Sequence, residues 1–146
     1  MRHLIAFMLF VFLSVSIAGA HQPIEWNADA ELVSETNGVL TICADIKPGW
    51  KLYGIDLPEG GPLPTMIDVE IENGEKSGPL LMQGLIQDTY DPIYKQNLQW
   101  WNDKVNFIQP FKISGNNLLI KIKIRYITCD GETCLRPQYV NLVVTI

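Results

Sequence analysis

Residues Thr128-Cys129-Asp130-Gly131-Glu132-Thr133-Cys134-Leu135-Arg136-Pro137 place two thiols around a short connection with a glycine near its centre. Two cysteines with four residues between them, bracketing a turn, reach the roughly 5.5 Å Cα separation that a disulfide takes. By chain entropy, closing a loop of about six residues contributes only about 2 kcal/mol, less than a staple across distant strands. The pair is open to two main readings, a structural hairpin staple in an exported protein and a redox-active site. A metal site is disfavoured, because two thiolates without histidine partners fall short of the four ligands zinc takes. Asp130 and Glu132 disfavour thiolate beside the cysteines, whereas Arg136 favours it. That balance suits a dithiol that reacts only when a partner docks against it.

Other reactive residues are few. Cys43 is the remaining one of 3 cysteines, so one intramolecular bridge leaves one thiol over. It lies on the face of its strand opposite Leu40, Ile42, Ala44 and Ile46, and reads as a small buried hydrophobe. Beyond the leader, His21 is the one histidine, which removes Ser-His-Asp triads, Cys-His pairs and multi-histidine zinc sites. Glu70 with Glu72 and Asp88 with Asp91 are carboxylate pairs without glycosidase spacing, and read as solvated surface. Trp100-Trp101 point to opposite faces if extended, one to the core and one free to act as an aromatic platform. No phosphate-binding glycine motif is present.

The elements that must position these residues are strands. Period-two alternation runs through Leu40–Ile46, Ile67–Ile71, Leu118–Tyr126 and Val140–Ile146, with Trp26–Leu32 as a first strand. Val105–Phe107 and Phe111–Ile113 supply further extended pieces. Asn37-Gly38, Lys47-Pro48-Gly49, Asn73-Gly74, Asn102-Asp103 and Ser114-Gly115-Asn116-Asn117 provide the turns between them. Strands every 10 to 15 residues without a long helical period predict an all-β, two-sheet antiparallel sandwich. Asp56–Thr65, rich in proline and glycine, reads as an irregular connection, and Gln87–Lys95 as an exposed loop.

The front of the chain has another character. Arg2, an apolar run over 4–13 and Ala18-Gly19-Ala20 form the pattern of a secretory signal peptide over residues 1–20. Removing it takes one arginine and leaves ten Lys and Arg against 16 Asp and Glu in a single domain over 21–146. Such an acidic domain lacks the basic stripe that phosphate contacts need, which argues against nucleic acid as a partner. No stretch reaches the length of a membrane span, and no cysteine follows the cleavage site to carry a lipid. The expected location is periplasmic or secreted.

The leader, the sandwich, Gly49-Trp50-Lys51-Leu52-Tyr53, Pro64-Thr65 and the late Tyr126-x-x-Cys129-x4-Cys134-x-x-Pro137 together resemble the N-terminal periplasmic domain of the DsbD family of thiol–disulfide interchange proteins. The likeness is to stand-alone, Bacteroidetes-type versions and spans roughly Trp26 to Ile146. It implies an immunoglobulin-like fold and an oxidoreductase of the protein-disulfide reductase type, working without cofactor or metal. In its terms Cys134 forms the mixed disulfide with partners and Cys129 resolves it. A cap falls on Asp88–Tyr94, with Tyr90 as the shielding aromatic and Ile93 or Tyr94 as alternatives. Tyr53 packs beside the cysteines, and Asp88 supplies an acidic group near them. The implied partners are thioredoxin-like or disulfide isomerase-like exported proteins, with a separate membrane protein as electron donor, because neither a membrane domain nor a thioredoxin-like domain is in the sequence. Two departures from the better-known members are the four residues between the cysteines, where those have five, and Thr89 in place of a second acidic cap residue. Two rival functions remain: a non-catalytic binding or adaptor sandwich with a structural bridge, using Trp100-Trp101 and Asp56–Thr65, and a redox-regulated chaperone-like adaptor.

Overall fold

The computed structural model describes residues 22–146, so the signal peptide expected over 1–20 lies outside the described residues. In chain order the strands are β1 (Ile24–Leu32), β2 (Asn37–Ile46), β3 (Lys51–Tyr53), β4 (Met66–Glu72), β5 (Gly74–Lys76) and β6 (Leu81–Gln83). They continue as β7 (Gln87–Asp91), β8 (Gln96–Trp101), β9 (Lys104–Ile113), β10 (Leu119–Tyr126), β11 (Thr128–Cys129) and β12 (Gln138–Thr145). Among the described residues no helix is long and apolar enough to cross a membrane.

Two antiparallel sheets form the sandwich that the alternation predicts. One runs β1-β2-β9-β5, with β6 also on β9; the other runs β12-β10-β4. Their facing side chains, including Leu40, Ile42 and Phe107 against Val69, Ile120, Ile122 and Ile124, make the main core. Strictly alternating side chains put every second residue of each strand into that layer. The outer face of the three-stranded sheet carries Glu70–Lys123 and Glu72–Lys121 ion pairs, all four side chains exposed. The first carboxylate pair is therefore solvated surface, as its spacing suggests, and each exposed ion pair contributes at most about 1 kcal/mol.

A third, smaller sheet, β11-β3-β8-β7, goes beyond the two-layer expectation. It corrects the reading of Gln87–Lys95 as an exposed loop, since Gln87–Asp91 pairs antiparallel with Gln96–Trp101 as a hairpin. Backbone pairing overrode a local composition of charges, aromatics and a proline. The two pieces around Phe107 and Phe111 likewise merge into one ten-residue strand, β9. Asp56–Thr65 is the irregular connection expected, and it packs inward through Leu57.

Cys43 sits on β2 between Asn27 of β1 and Asn106 of β9, 9% exposed, on the outer face of the five-stranded sheet. Burial pushes its thiol above the ordinary range, against the pull of Lys104. Its thiol is free.

At Gly38 a methyl group would meet the Phe111 ring at 2.3 Å and the Glu31 carbonyl at 2.8 Å, in a core where Phe111 is fully buried. Gly38→Ala is expected to destabilise the fold by about 1–3 kcal/mol, because a packed core resists added volume. Urea denaturation followed by tryptophan fluorescence measures it; an unchanged midpoint would contradict the packing described.

Candidate functional site

The small sheet separates two apolar environments. Leu52 and Trp101, paired across β3 and β8, face the main core, while Tyr53 and Trp100, paired one residue on, face the other way. The opposite faces expected for Trp100-Trp101 follow from this pleat. On the second face Tyr53, Leu98, Ile127 and Cys129 form a separate buried cluster, against which Leu57, Ile93, Tyr94, Trp100 and Cys134 pack.

Strand β11 brings the cysteines into that cluster. Thr128 pairs with Leu52 and Cys129 with Lys51, and the fully buried Thr128 hydroxyl donates to the Lys51 carbonyl at 2.9 Å. The connection then turns at Asp130–Thr133, where Gly131 takes φ +96°, a conformation that costs glycine little. Asp130 Oδ1 accepts from the backbone N–H groups of Glu132 at 3.0 Å and Thr133 at 2.8 Å. Those two bonds hold the exposed Asp130 carboxyl below the usual carboxylate range. The turn closes a Cys129–Cys134 disulfide with Cα atoms 4.1 Å apart. Its two sulfurs differ in access, since Cys129 is fully buried and Cys134 only half-buried.

The β7–β8 hairpin covers the half-buried sulfur. Tyr94 directs its hydroxyl at Cys134 Sγ, 3.9 Å away, and its ring meets Tyr53 edge-on with centroids 5.7 Å apart. Ile93 packs beside it. Tyr90, expected as the shield, points outward from β7 with 57% exposure and takes no part in the cluster. Asp88 is also exposed on β7, where it accepts from Gln99 Nε2 at 3.1 Å. The shift follows from the hairpin: the cover comes from its turn, three to four residues further along than the paired strand that carries Asp88 and Tyr90. Tyr53 lies beside the cysteines, fully buried.

Sequence reasoning missed the groups that fix this cover. Asp91, read as solvated surface, is fully buried. Its Oδ2 accepts from Lys51 Nζ at 2.5 Å and from the Tyr53 hydroxyl at 2.6 Å. Its Oδ1 accepts from the N–H groups of Ile93 at 2.8 Å and Tyr94 at 3.1 Å. Burial works against ionisation, yet the hydrogen bonds from Lys51, Tyr53 and the two amides outweigh it and hold the carboxyl below its ordinary value. Burial, together with the bond to Asp91, pushes the Tyr53 phenol far up. Lys51 Nζ also lies 4.2 Å from the Trp100 ring centroid, which occupies the face a free aromatic platform would present. Trp101 is 2% exposed. Asp91-Pro92 before two apolar residues is a turn signature that the sequence does carry; nothing local marks Lys51 as its counter-ion.

Below Asp91's native pKa the carboxylate is protonated and the ion pair is lost. A folded-state pKa lowered from the unfolded value gives stability that is present at neutral pH and lost as pH falls through the folded value. Wild type is therefore expected to lose more stability than Asp91→Asn between neutral and strongly acid pH. Paired urea titrations read the difference, and parallel pH profiles would contradict it.

No protein-family model and no curated protein sequence matches the chain. Solved structures do. The reduced N-terminal domain of DsbD from Neisseria meningitidis superposes with a TM-score of 0.54 at 12% identity, covering 84% of this chain and 85% of that one. The N-terminal periplasmic domain of ScsB from Proteus mirabilis superposes with a TM-score of 0.55 at 19% identity over 84% of this chain, which spans 47% of that structure. The polypeptide thus has the fold of the DsbD N-terminal domain, as the sequence resemblance implied.

Proposed function

We propose that the domain is a thiol–disulfide exchange module that passes reducing equivalents to exported protein partners through Cys129 and Cys134. The observation that carries this reading is the asymmetric disulfide, with one sulfur sealed in an apolar cluster and the other beneath a single aromatic turn. A purely structural staple has no need of such a cover. The fold shared with the DsbD and ScsB domains supports the reading.

In the reduced protein the Cys134 thiolate attacks a partner disulfide and forms a Cys134–partner bond, expelling the partner's second sulfur as thiolate. The Cys129 thiolate then attacks Cys134 Sγ, forms the Cys129–Cys134 bond and releases the partner's first sulfur. Two electrons pass to the partner, whose disulfide becomes a dithiol once its thiolates take up protons. A separate donor dithiol reverses these steps to regenerate the protein. Thioredoxin-like or disulfide isomerase-like proteins of the periplasm are the partners in this reading, and the leader over 1–20 would deliver the domain there. Of the surface that the non-catalytic binding reading would use, Trp101 is buried and Trp100 packs against the Lys51 ammonium, which leaves that reading the Asp56–Thr65 connection.

In a Cys43→Ala background, Cys134→Ser is expected to abolish reduction of an oxidised thioredoxin-like substrate. Cys129→Ser should instead accumulate the mixed disulfide, visible by mass spectrometry under non-reducing conditions. Retained turnover in Cys134→Ser would sink the assignment. Thiol trapping across redox buffers is expected to place the pair at about −180 to −270 mV, the range of dithiol carriers, whereas a value below about −300 mV would mark a structural bridge.

A further inference from the structure

Lys51 is a costly residue in its position. It is 9% exposed, its cross-strand partner is Cys129, and its ammonium lies over the Trp100 and Tyr53 rings, 4.2 and 5.3 Å from their centroids. A methionine or leucine would fill that space without the loss of hydration a buried ammonium suffers. What the charge gains is Asp91. The two oxygens of that carboxylate have separate duties: Oδ1 binds the Ile93 and Tyr94 amides and so shapes the turn, while Oδ2 binds Lys51 and Tyr53 on β3. The carboxylate is a rigid joint between the turn that carries Tyr94 and the strand that pairs with Cys129.

We infer that Lys51 is a positioning residue for the exchange site: through Asp91 it holds the 91–96 turn down with Tyr94 against Cys134, and the disulfide opens to attack when this ion pair separates. The inference deepens the exchange reading and rests on it for its purpose. The physics of buried pairs explains the choice of a charge. Desolvation offsets much of the Coulomb attraction in a buried ion pair, so separating both ions into water costs less than the closed geometry suggests. An apolar contact of equal area would have no such return on opening, because its surface meets water unfavourably. The pair fixes one closed position sharply, while the turn remains able to leave when a docking partner displaces it. Removing only one ion does the opposite, leaving the other buried and unpaired, and drives the turn outward.

The test is the rate at which dithiothreitol and a water-soluble phosphine reduce the Cys129–Cys134 bond in the oxidised protein, with native folding checked by near-ultraviolet circular dichroism. Lys51→Met is expected to raise both rates at least tenfold, Asp91→Asn to raise them in the same direction, and Lys51→Arg to restore a rate close to wild type. Tyr94→Ala sets the rate of an uncovered disulfide. Wild-type or slower reduction in folded Lys51→Met or Asp91→Asn overturns the inference. A measurement on the unaltered protein stands beside the variants: amide hydrogen exchange at Ile93 and Tyr94 is expected to proceed by local opening, with far less protection than at Ile122. Equal protection at these sites overturns the inference even if neither variant folds. Chemical reductants need no protein partner, so a structural potential for the cysteine pair would defeat the exchange reading while leaving these rates to decide the role of Lys51.

Discussion

The candidate site depends on the pleat of a short sheet that belongs to two cores at once. In β3 and β8 the residues Leu52 and Trp101 face the sandwich, and Tyr53 and Trp100 face the cysteine cluster. The backbone permits no intermediate: shifting the pairing by one residue would exchange the two sets and bury each in the wrong layer. The paired register of Thr128 and Cys129 on Leu52 and Lys51 extends the same alternation to the disulfide. A three-residue strand thereby fixes which sulfur is sealed, where the lysine stands and which aromatic rings surround both. The large sandwich contributes rigidity, so that the small sheet has one register available.

Within that frame, packing and polarity have separate tasks. Tyr53, Leu98 and Cys129 give the cluster its burial, and apolar contact of this kind is insensitive to orientation. Direction comes from Asp91, whose four hydrogen bonds each constrain where the hairpin turn can sit. A buried carboxylate satisfied on both oxygens is specific because any displacement leaves a donor unpaired. Lys95 completes the turn with φ +56°, its N–H donating to the Asp91 carbonyl at 2.7 Å. Stability and geometry are thus supplied by different atoms of the same few residues.

The sandwich was legible in the sequence because its strands each bury one face, and a half-buried strand writes its period into the chain. Leu118–Tyr126 and Leu40–Ile46 are unambiguous for that reason. The cysteine loop was legible too, since two thiols around a glycine need no long-range information. The hairpin was not. Gln87–Asp91 is an edge strand whose residues are largely exposed, so its period carries no hydrophobic signal, and pairing with β8 is decided by backbone groups that every residue shares. Asp91 was misread because a carboxylate's burial depends on a cation forty positions earlier, and Lys51 sits in a stretch, Trp50-Lys51-Leu52-Tyr53, whose lysine gives no local sign of being inside. The covering residue stood open between Tyr90, Ile93 and Tyr94 for the same reason: composition marks the segment, while only the turn marks the residue.

Cys43 has a consequence for how the chain matures. It stands on the outer face of the five-stranded sheet, paired between Asn27 and Asn106, and is not a member of the cluster that holds the bridge. In the folded protein Cys43 is buried between two paired strands and Cys129 within its own cluster, so a bridge to Cys43 belongs to the unfolded chain. There the statistics of ring closure decide. Closing the short Cys129–Cys134 ring is favoured over closing a ring back to Cys43 by roughly seventyfold, from the three-halves power of the loop lengths. Where all three thiols are exposed together, the native link is therefore the favoured one, and in the folded protein the spare thiol is 9% exposed between two paired strands. Spacing along the chain thus favours the same pairing that the folded structure holds, with Cys43 left as the free thiol.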